Sequence, residues 1–382
     1  MWEWMGIEHL FEISTGQKIA GLFTPLAIFA AFAIVQMILP AKWVPGYVTD
    51  EKTGEPRRYR LNGILVFVVA FLVWGFEVIP GVDREYFYET SLFAVAGGTA
   101  FALLFTAIAV YTQPKVEDRN PIIDFYLGRI QEIRFFGDRL DLKMTFYVVG
   151  GTMLGINAMS GAAWHYEQFS PTNEVNLGVF LYAAIFTFYV FDYMVFERVQ
   201  LYTFDLIHEK MGFKMFWGDT VVYGWLFIVP LYGMAAQPDP GFSTAWTYVL
   251  LIGVSVLFLV GWSISRGANL QKYTFKRWPE RKFLGIIEPR YIQAGDRKIL
   301  TSGLWGAARH FNYMGEGFFG IAVALSFGHF DNPWAYTYMV FVISMFTWRQ
   351  VEDDRACAEK YGEEKWAEYQ EQVPYRIVPG IY

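Results

Sequence analysis

Four carboxylates interrupt the apolar stretches of this sequence: Asp192, Glu197, Asp219 and Glu316 each stand within or beside a hydrophobic run. A charged side chain at the centre of such a segment costs about 2.5–3.5 kcal/mol on insertion scales, so each must pair with a neighbouring helix or face a polar cavity. A carboxyl group in a dry pocket can carry a proton to a reacting atom, which is general acid–base chemistry. The plainer alternative is a buried pair with Arg or Tyr that fixes helix register. Other motifs carry less. Gly315, Gly317 and Gly320 spell Gly-x-Gly-x-x-Gly, but they open an apolar run instead of following a strand, so the spacing reads as close helix packing and not as a dinucleotide fingerprint. The five histidines, His9, His165, His208, His310 and His329, show no metal-ligand spacing, and Cys357 is the single cysteine. Neither a metal centre nor a disulfide framework is expected.

These groups need helices in a bilayer to position them. Of 382 residues, 54% are hydrophobic, 19% aromatic and only 18% charged, against roughly a quarter charged in soluble domains. The formal net charge of -6 excludes a basic nucleic-acid-binding face. With about 20 apolar residues needed per span, about nine spans are expected: 19–40, 62–80, 91–111, 144–163, 176–196, 215–236, 243–264, 313–328 and 333–348. Basic segments alternate with segments nearly free of Lys and Arg. Segment 42–61 holds Lys42, Lys52, Arg57, Arg58 and Arg60, and segments 112–143, 197–214, 265–312 and the tail after 348 are also basic, whereas 81–90 has only Arg84 and 164–175, 237–242 and 329–332 have none. The alternation places the N-terminus outside and the C-terminus in the cytoplasm. One all-α integral membrane domain over 1–382 is expected, with the basic part at 265–382 meeting any cytosolic anion. The same charge also serves as an ordinary cytoplasmic anchor.

Three strings are specific. Asn269-Leu270-Gln271-Lys272-Tyr273-Thr274-Phe275-Lys276-Arg277 directly follows a span. Gly303 to Glu316 contains Arg309-His310-Phe311-Asn312-Tyr313. The tail carries Lys360-Tyr361-Gly362, Trp366, Tyr369 and the run from Val373 to Tyr382. Together they resemble the sterol C14 and C7 reductase family. The likeness extends from Tyr59-Arg60-Leu61-Asn62-Gly63 through Asp124-Phe125-Tyr126 to the last residue, and is strongest after Asn269. The resemblance implies a core of about ten spans, of which the first is expected to be missing here. Glu316 stands where the family usually has Asp, Glu352 where Arg is common, Trp348 where His is frequent, and Glu132-Ile133-Arg134 where Asn-Pro-Arg is usual. The Arg-His-Phe-Asn-Tyr string and the Pro-Gly-Ile-Tyr ending are more similar to the C7 than to the fungal C14 members, and the short amino terminus to a bacterial version in the inner membrane, the endoplasmic reticulum being its eukaryotic counterpart.

The resemblance implies NADPH-dependent reduction of a carbon–carbon double bond in the sterol nucleus. It places Lys272, Lys276, Trp305, Asn312, Tyr313, Arg349, Asp353, Tyr361, Tyr369, Tyr375 and Arg376 around the cofactor, with Arg309 and His310 as neighbours. Lys and Arg suit phosphates, and Trp and Tyr suit ring stacking. The same reading offers Tyr313, Glu316, Asp219, Glu197 and His208 as proton donors, with sterol entering from the bilayer lipid and NADPH from the cytoplasm. Rival readings are a membrane methyltransferase of the isoprenylcysteine type, which shares Arg-His-x-x-Tyr-x-Gly but lacks the Asn-x-Gln-Lys-x-x-Phe string, a transporter, and a non-catalytic sterol-binding protein.

Overall fold

The computed structural model describes residues 6–50, 53–115 and 119–382. Lys52, counted among the basic residues of segment 42–61, lies outside them. The protein is 64% helical and divides into two compact units, Met1–Pro240 and Gly241–Tyr382.

In the first unit, α1 (Thr15–Ile38) starts at a capping box in which Ser14 and Gln17 satisfy each other's backbone N–H groups. The hairpin β1 (Lys42–Thr49) and β2 (Pro56–Leu61) leads into α2 (Gly63–Gly75), and α3 (Ser91–Tyr111) packs on α1. There Gly97 is pressed against Leu22, so that a Cβ at Gly97 would lie 1.8 Å from the Leu22 carbonyl oxygen. The two-residue strands β3 (Arg134–Phe135) and β4 (Leu140–Asp141) precede α4 (Leu142–Phe169), and α5 (Leu177–Val195) follows it. Helix α4 is buried on most of its faces, from Leu142 to His165. Asp141 caps it by accepting from the Met144 N–H at 3.0 Å.

The span expected over 215–236 is not one helix. It is a chain of short pieces: an α-turn at Phe213–Trp217, a π-turn at Gly218–Val222, a 3₁₀ turn at Leu226–Ile228 and an α-turn at Val229–Met234. Gly218, Gly224 and Pro230 break the ladder. Buried side chains take up the carbonyls this releases: Asn157 donates to Gly224 O at 2.6 Å, Tyr232 to Trp225 O at 2.9 Å and Tyr182 to Phe227 O at 3.2 Å. Irregular backbone persists inside a membrane protein only with such partners.

In the second unit, α6 (Thr244–Arg277) runs on past the expected end of its span at 264. The hairpin β5 (Tyr291–Ala294) and β6 (Arg297–Leu300) follows, then α7 (Phe311–Ser326), α8 (Thr337–Tyr361) and α9 (Glu363–Gln372). Helix α8 likewise continues beyond 348 into a charged half. The three hairpins depart from the all-α expectation. They lie in the polar connections, where strand alternation is too short to register as a span.

Among the described residues, four helices, α1, α3, α5 and α6, are long and apolar enough to cross a membrane, and α2 is a shorter apolar helix. The protein is thus a helical membrane protein.

Candidate functional site

The second unit gathers most of the expected cofactor residues, beginning at the polar C-terminal end of α6. Gln271, buried there, donates to Ser302 O and accepts from Leu304 N, both at 2.9 Å, and so pins the loop that enters the short helix Leu304–Ala307. Gly303 makes this possible. Its φ is +63°, and a Cβ would strike the Gln271 amide at 2.3 Å. The pinned loop fixes Trp305, whose indole N–H donates to Ala268 O at 2.8 Å and whose ring lies 4.8 Å beneath the Lys272 ammonium. The Tyr369 hydroxyl donates to Trp305 O at 3.0 Å.

A second strand of contacts joins α7, α8 and the tail. Arg309 donates to Val373 O at 2.9 Å and Pro374 O at 3.0 Å, while the backbone N–H groups of Arg309 and His310 donate to Tyr375 O and Arg376 O. Asp354 collects three cationic or titratable groups: His310 Nε2 at 3.0 Å, Arg309 at 3.7 Å and Arg376 at 3.9 Å. The Tyr313 hydroxyl donates to the neighbouring Asp353, and its ring is stacked between His310 and Phe346, with centroids at 5.3 and 4.3 Å.

Lys276 lies within electrostatic reach of Lys272, Lys360 and Cys357. Arg297 holds the Lys360 carbonyl at 2.7 Å, and Tyr361 stacks on Trp366 at 6.2 Å. Burial, then the Lys272 ammonium and Arg297, lower the Lys360 pKa. Burial raises that of the Cys357 thiol.

This donor set fits a phosphate-bearing ring cofactor. Three lysines converge where like charges repel unless an anion neutralises them, Trp305 offers a flat face, and the buried Arg309 Nε and Asn312 Oδ1 have no hydrogen-bond partner among the described residues. Arg349 stands half-buried on α8, and Tyr375 is exposed on the tail beside them. Sequence reasoning missed Asp354 and Lys360. The paired aspartates and the Lys-Tyr-Gly string were both in view, but nothing in the spacing says which aspartate the cations share.

The expected proton donors separate between the units. In the second, Tyr313 has its hydrogen bond to Asp353, and buried Glu316 accepts from Ser265 Oγ at 2.6 Å. Glycines set that distance, since a Cβ at Gly315 would lie 2.5 Å from Gly261 O and 2.6 Å from Ser265 N. Gly315 of the Gly-x-Gly-x-x-Gly string thus packs closely on α6, as expected, and Gly320 faces Met339 of α8, whereas Gly317 has open space around it. In the first unit, buried Glu197 accepts from Gly63 N at 3.0 Å, with its other oxygen unpartnered among the described residues. Asp219 stands half-buried on the π-turn, its main chain pressed on Gly150, and Asp192 is buried on α5. His208 is exposed in a turn after Phe204–Ile207, a poor setting for a donor to a lipid-dissolved molecule.

Together these features define a helical membrane protein with a basic, aromatic cluster suited to a phosphate-bearing ligand. The chain belongs to the ergosterol biosynthesis ERG4/ERG24 family, whose model matches residues 7–382. It is similar to a protein named Delta(14)-sterol reductase from Methylotuvimicrobium alcaliphilum, 31% identical over 374 residues that cover 95% of this chain and 83% of that protein. It is also similar to two Arabidopsis thaliana proteins. One is named Delta(14)-sterol reductase, 27% identical with 93% of this chain and 94% of that protein covered. The other is named 7-dehydrocholesterol reductase, 28% identical with 93% and 83% covered. Relatives of both names thus stand close together in identity, and the C7-like strings of the tail do not separate them.

Proposed function

We propose that the protein is a multi-pass membrane enzyme that reduces a carbon–carbon double bond in the sterol nucleus, at C7 or C14, using NADPH. The observation that carries this reading is the meeting, in one unit, of the Lys272–Lys276–Lys360 and Trp305 cluster with the Tyr313–Asp353 pair. Membership of a family whose relatives are named sterol reductases supports it.

NADPH, when bound, supplies the hydride. Lys272, Lys276 and Lys360 would hold its phosphates, Arg349 and Arg376 would add charge-assisted hydrogen bonds, and Trp305, Tyr361 and Tyr375 would offer ring faces. A ring alkene is not electrophilic, so a proton must reach one of its carbons as the other becomes tertiary and cationic. Tyr313 would deliver that proton by turning its hydroxyl from Asp353 to the alkene, and the Asp353 carboxylate would oppose the developing positive charge. Glu316, three residues beyond Tyr313 on α7 and fixed by Ser265 of α6, would restore the proton. Glu197 and Asp219 are the alternative carriers.

The sterol would enter from the bilayer and the cofactor from the cytoplasm. About nine crossings place the N-terminus outside and the C-terminus inside, in the inner membrane of a bacterium or the endoplasmic reticulum of a eukaryote. The test is turnover. Purified protein given NADPH and a panel of C7- and C14-unsaturated sterols should yield products two mass units heavier by mass spectrometry. Failure on every member of the panel sinks the reading. Binding of S-adenosylmethionine in place of NADPH would favour a methyltransferase, and sterol binding without NADPH oxidation a non-catalytic role. Glu316→Gln should lower kcat with little change in the KM for NADPH.

A further inference from the structure

The tail residue Arg376 is held by a brace that the reductase reading does not require. Gln350, 1% exposed on α8, uses both ends of its amide. Its Oε1 accepts from Arg376 Nη1 at 3.3 Å, and its Nε2 donates to Thr347 O at 3.2 Å and to the Tyr382 hydroxyl at 3.0 Å. Tyr382 closes the loop from the other side. Its main-chain oxygen accepts the N–H groups of Arg376, Ile377 and Val378 at 2.8, 2.9 and 3.1 Å, and its ring lies 6.0 Å from the Arg376 guanidinium. The Arg376 carbonyl is tied to the His310 N–H at 2.7 Å.

Arg376 is therefore fixed along its main chain, and its head is drawn toward Gln350. The competing partner is Asp354, whose carboxylate stands 3.9 Å from Arg376 Nε and already serves His310 and Arg309. A guanidinium has five N–H donors in one plane. With one edge on Gln350, the Arg376 side chain stays 35% exposed and keeps an edge open for an anion. Released from Gln350, it would close the rest of the way onto Asp354, 3.9 Å from its Nε, and a carboxylate would take the donors a phosphate needs.

We infer that Gln350 and Tyr382 are positioning residues that keep the Arg376 guanidinium from closing beyond its long 3.9 Å pairing with Asp354 and present its open edge to the cofactor phosphate. This rests on the NADPH reading above.

The test uses the full chain in detergent or nanodiscs, with NADPH affinity measured by fluorescence titration beside steady-state kinetics. Gln350→Leu should raise the Kd and KM for NADPH about tenfold, the size of one lost hydrogen bond to a charged group, and Tyr382→Phe, which loses a neutral bond to Gln350, should raise them about threefold, with kcat at saturating NADPH retained. In an Arg376→Ala background, Gln350→Leu should weaken binding no further, because the brace has nothing left to hold. A full additional loss in that background, or a fall in kcat with KM unchanged, overturns the inference. If Gln350→Leu does not fold, Tyr382→Phe removes a single half-exposed oxygen and carries the test. Wild-type protein that does not bind NADPH sinks the reductase reading, whereas wild-type binding that both single variants match sinks the brace alone.

Discussion

At the scale of single residues, Asp353 and Asp354 divide the work of one helical turn. Neighbours on an α-helix point about 100° apart, so Asp353 meets the Tyr313 hydroxyl while Asp354 meets Arg309, His310 and Arg376. Asp354→Asn leaves a buried cluster of cations with its shared charge removed, and should cost about 3 kcal/mol of stability, read as a lower thermal midpoint. Lys360 behaves in the opposite way. Its folded pKa lies below the ordinary lysine value of 10.5, so the charged form is penalised in the folded protein. That penalty is full at neutral pH and fades as pH rises toward the unfolded value. Lys360→Met should therefore raise thermal stability at pH 7 without cofactor, narrow that advantage as pH rises, and weaken NADPH binding. A variant that is less stable at pH 7 would refute the crowding of charge. The family resemblance offered the residues of this site, and their types, Lys, Arg, Trp and Tyr in the C-terminal strings, suit an anion with rings. It could not offer pairings such as Ser265 with Glu316 or Gln350 with Arg376, which depend on where separate helices cross.

At the scale of elements, the crossing of α6 and α7 was legible and the broken segment after Phe213 was not. Glycines in an apolar run indicate close packing whatever their partner, and Gly315 and Gly320 supply it here while Gly317 does not. Gly315→Leu should place its side chain in the Gly261 and Ser265 main chain, costing roughly 2 kcal/mol or more and separating Ser265 from Glu316. The broken segment, by contrast, has the composition of a span. Its breakers, Gly218, Gly224 and Pro230, are visible in the sequence, but the acceptable alternative to a helix there depends on Asn157, Tyr182 and Tyr232 reaching it from elsewhere in the fold. Asn157→Leu leaves the Gly224 carbonyl buried without that donor and should destabilise the protein by about 1–3 kcal/mol, measurable in the thermal midpoint.

At the scale of the whole molecule, composition alone indicated a membrane protein, because a chain so poor in charge has too few polar residues to cover a soluble surface of this size. The number of crossings is a finer matter. Four helices qualify on length and apolarity, and the remaining expected crossings are short, broken or carry polar residues where the protein buries them. Reporter fusions check the orientation: alkaline phosphatase joined after Pro240 should be active and a fluorescent protein joined after Tyr382 should mature, and the reverse pattern would invert the topology. Cys357, the single cysteine, gives a readout independent of turnover. Set among three lysines, it should be shielded from alkylation by NADPH if the cofactor lies there, and an unchanged labelling rate would move the cofactor elsewhere.

The length of α6 has one more consequence. Its 34 residues extend roughly 51 Å at 1.5 Å each, well beyond a hydrocarbon layer of about 30 Å. The helix thus works as a depth gauge, graduated from lipid level to water. Ser265 marks one reading and Lys272, two turns further and roughly 10 Å on, marks another. Under the proposed reading, chemistry on an oil-dissolved molecule and capture of a water-dissolved one would be set apart by a fixed number of peptide units, so lengthening this helix between the two marks would detune their spacing while leaving each cluster's own residues intact.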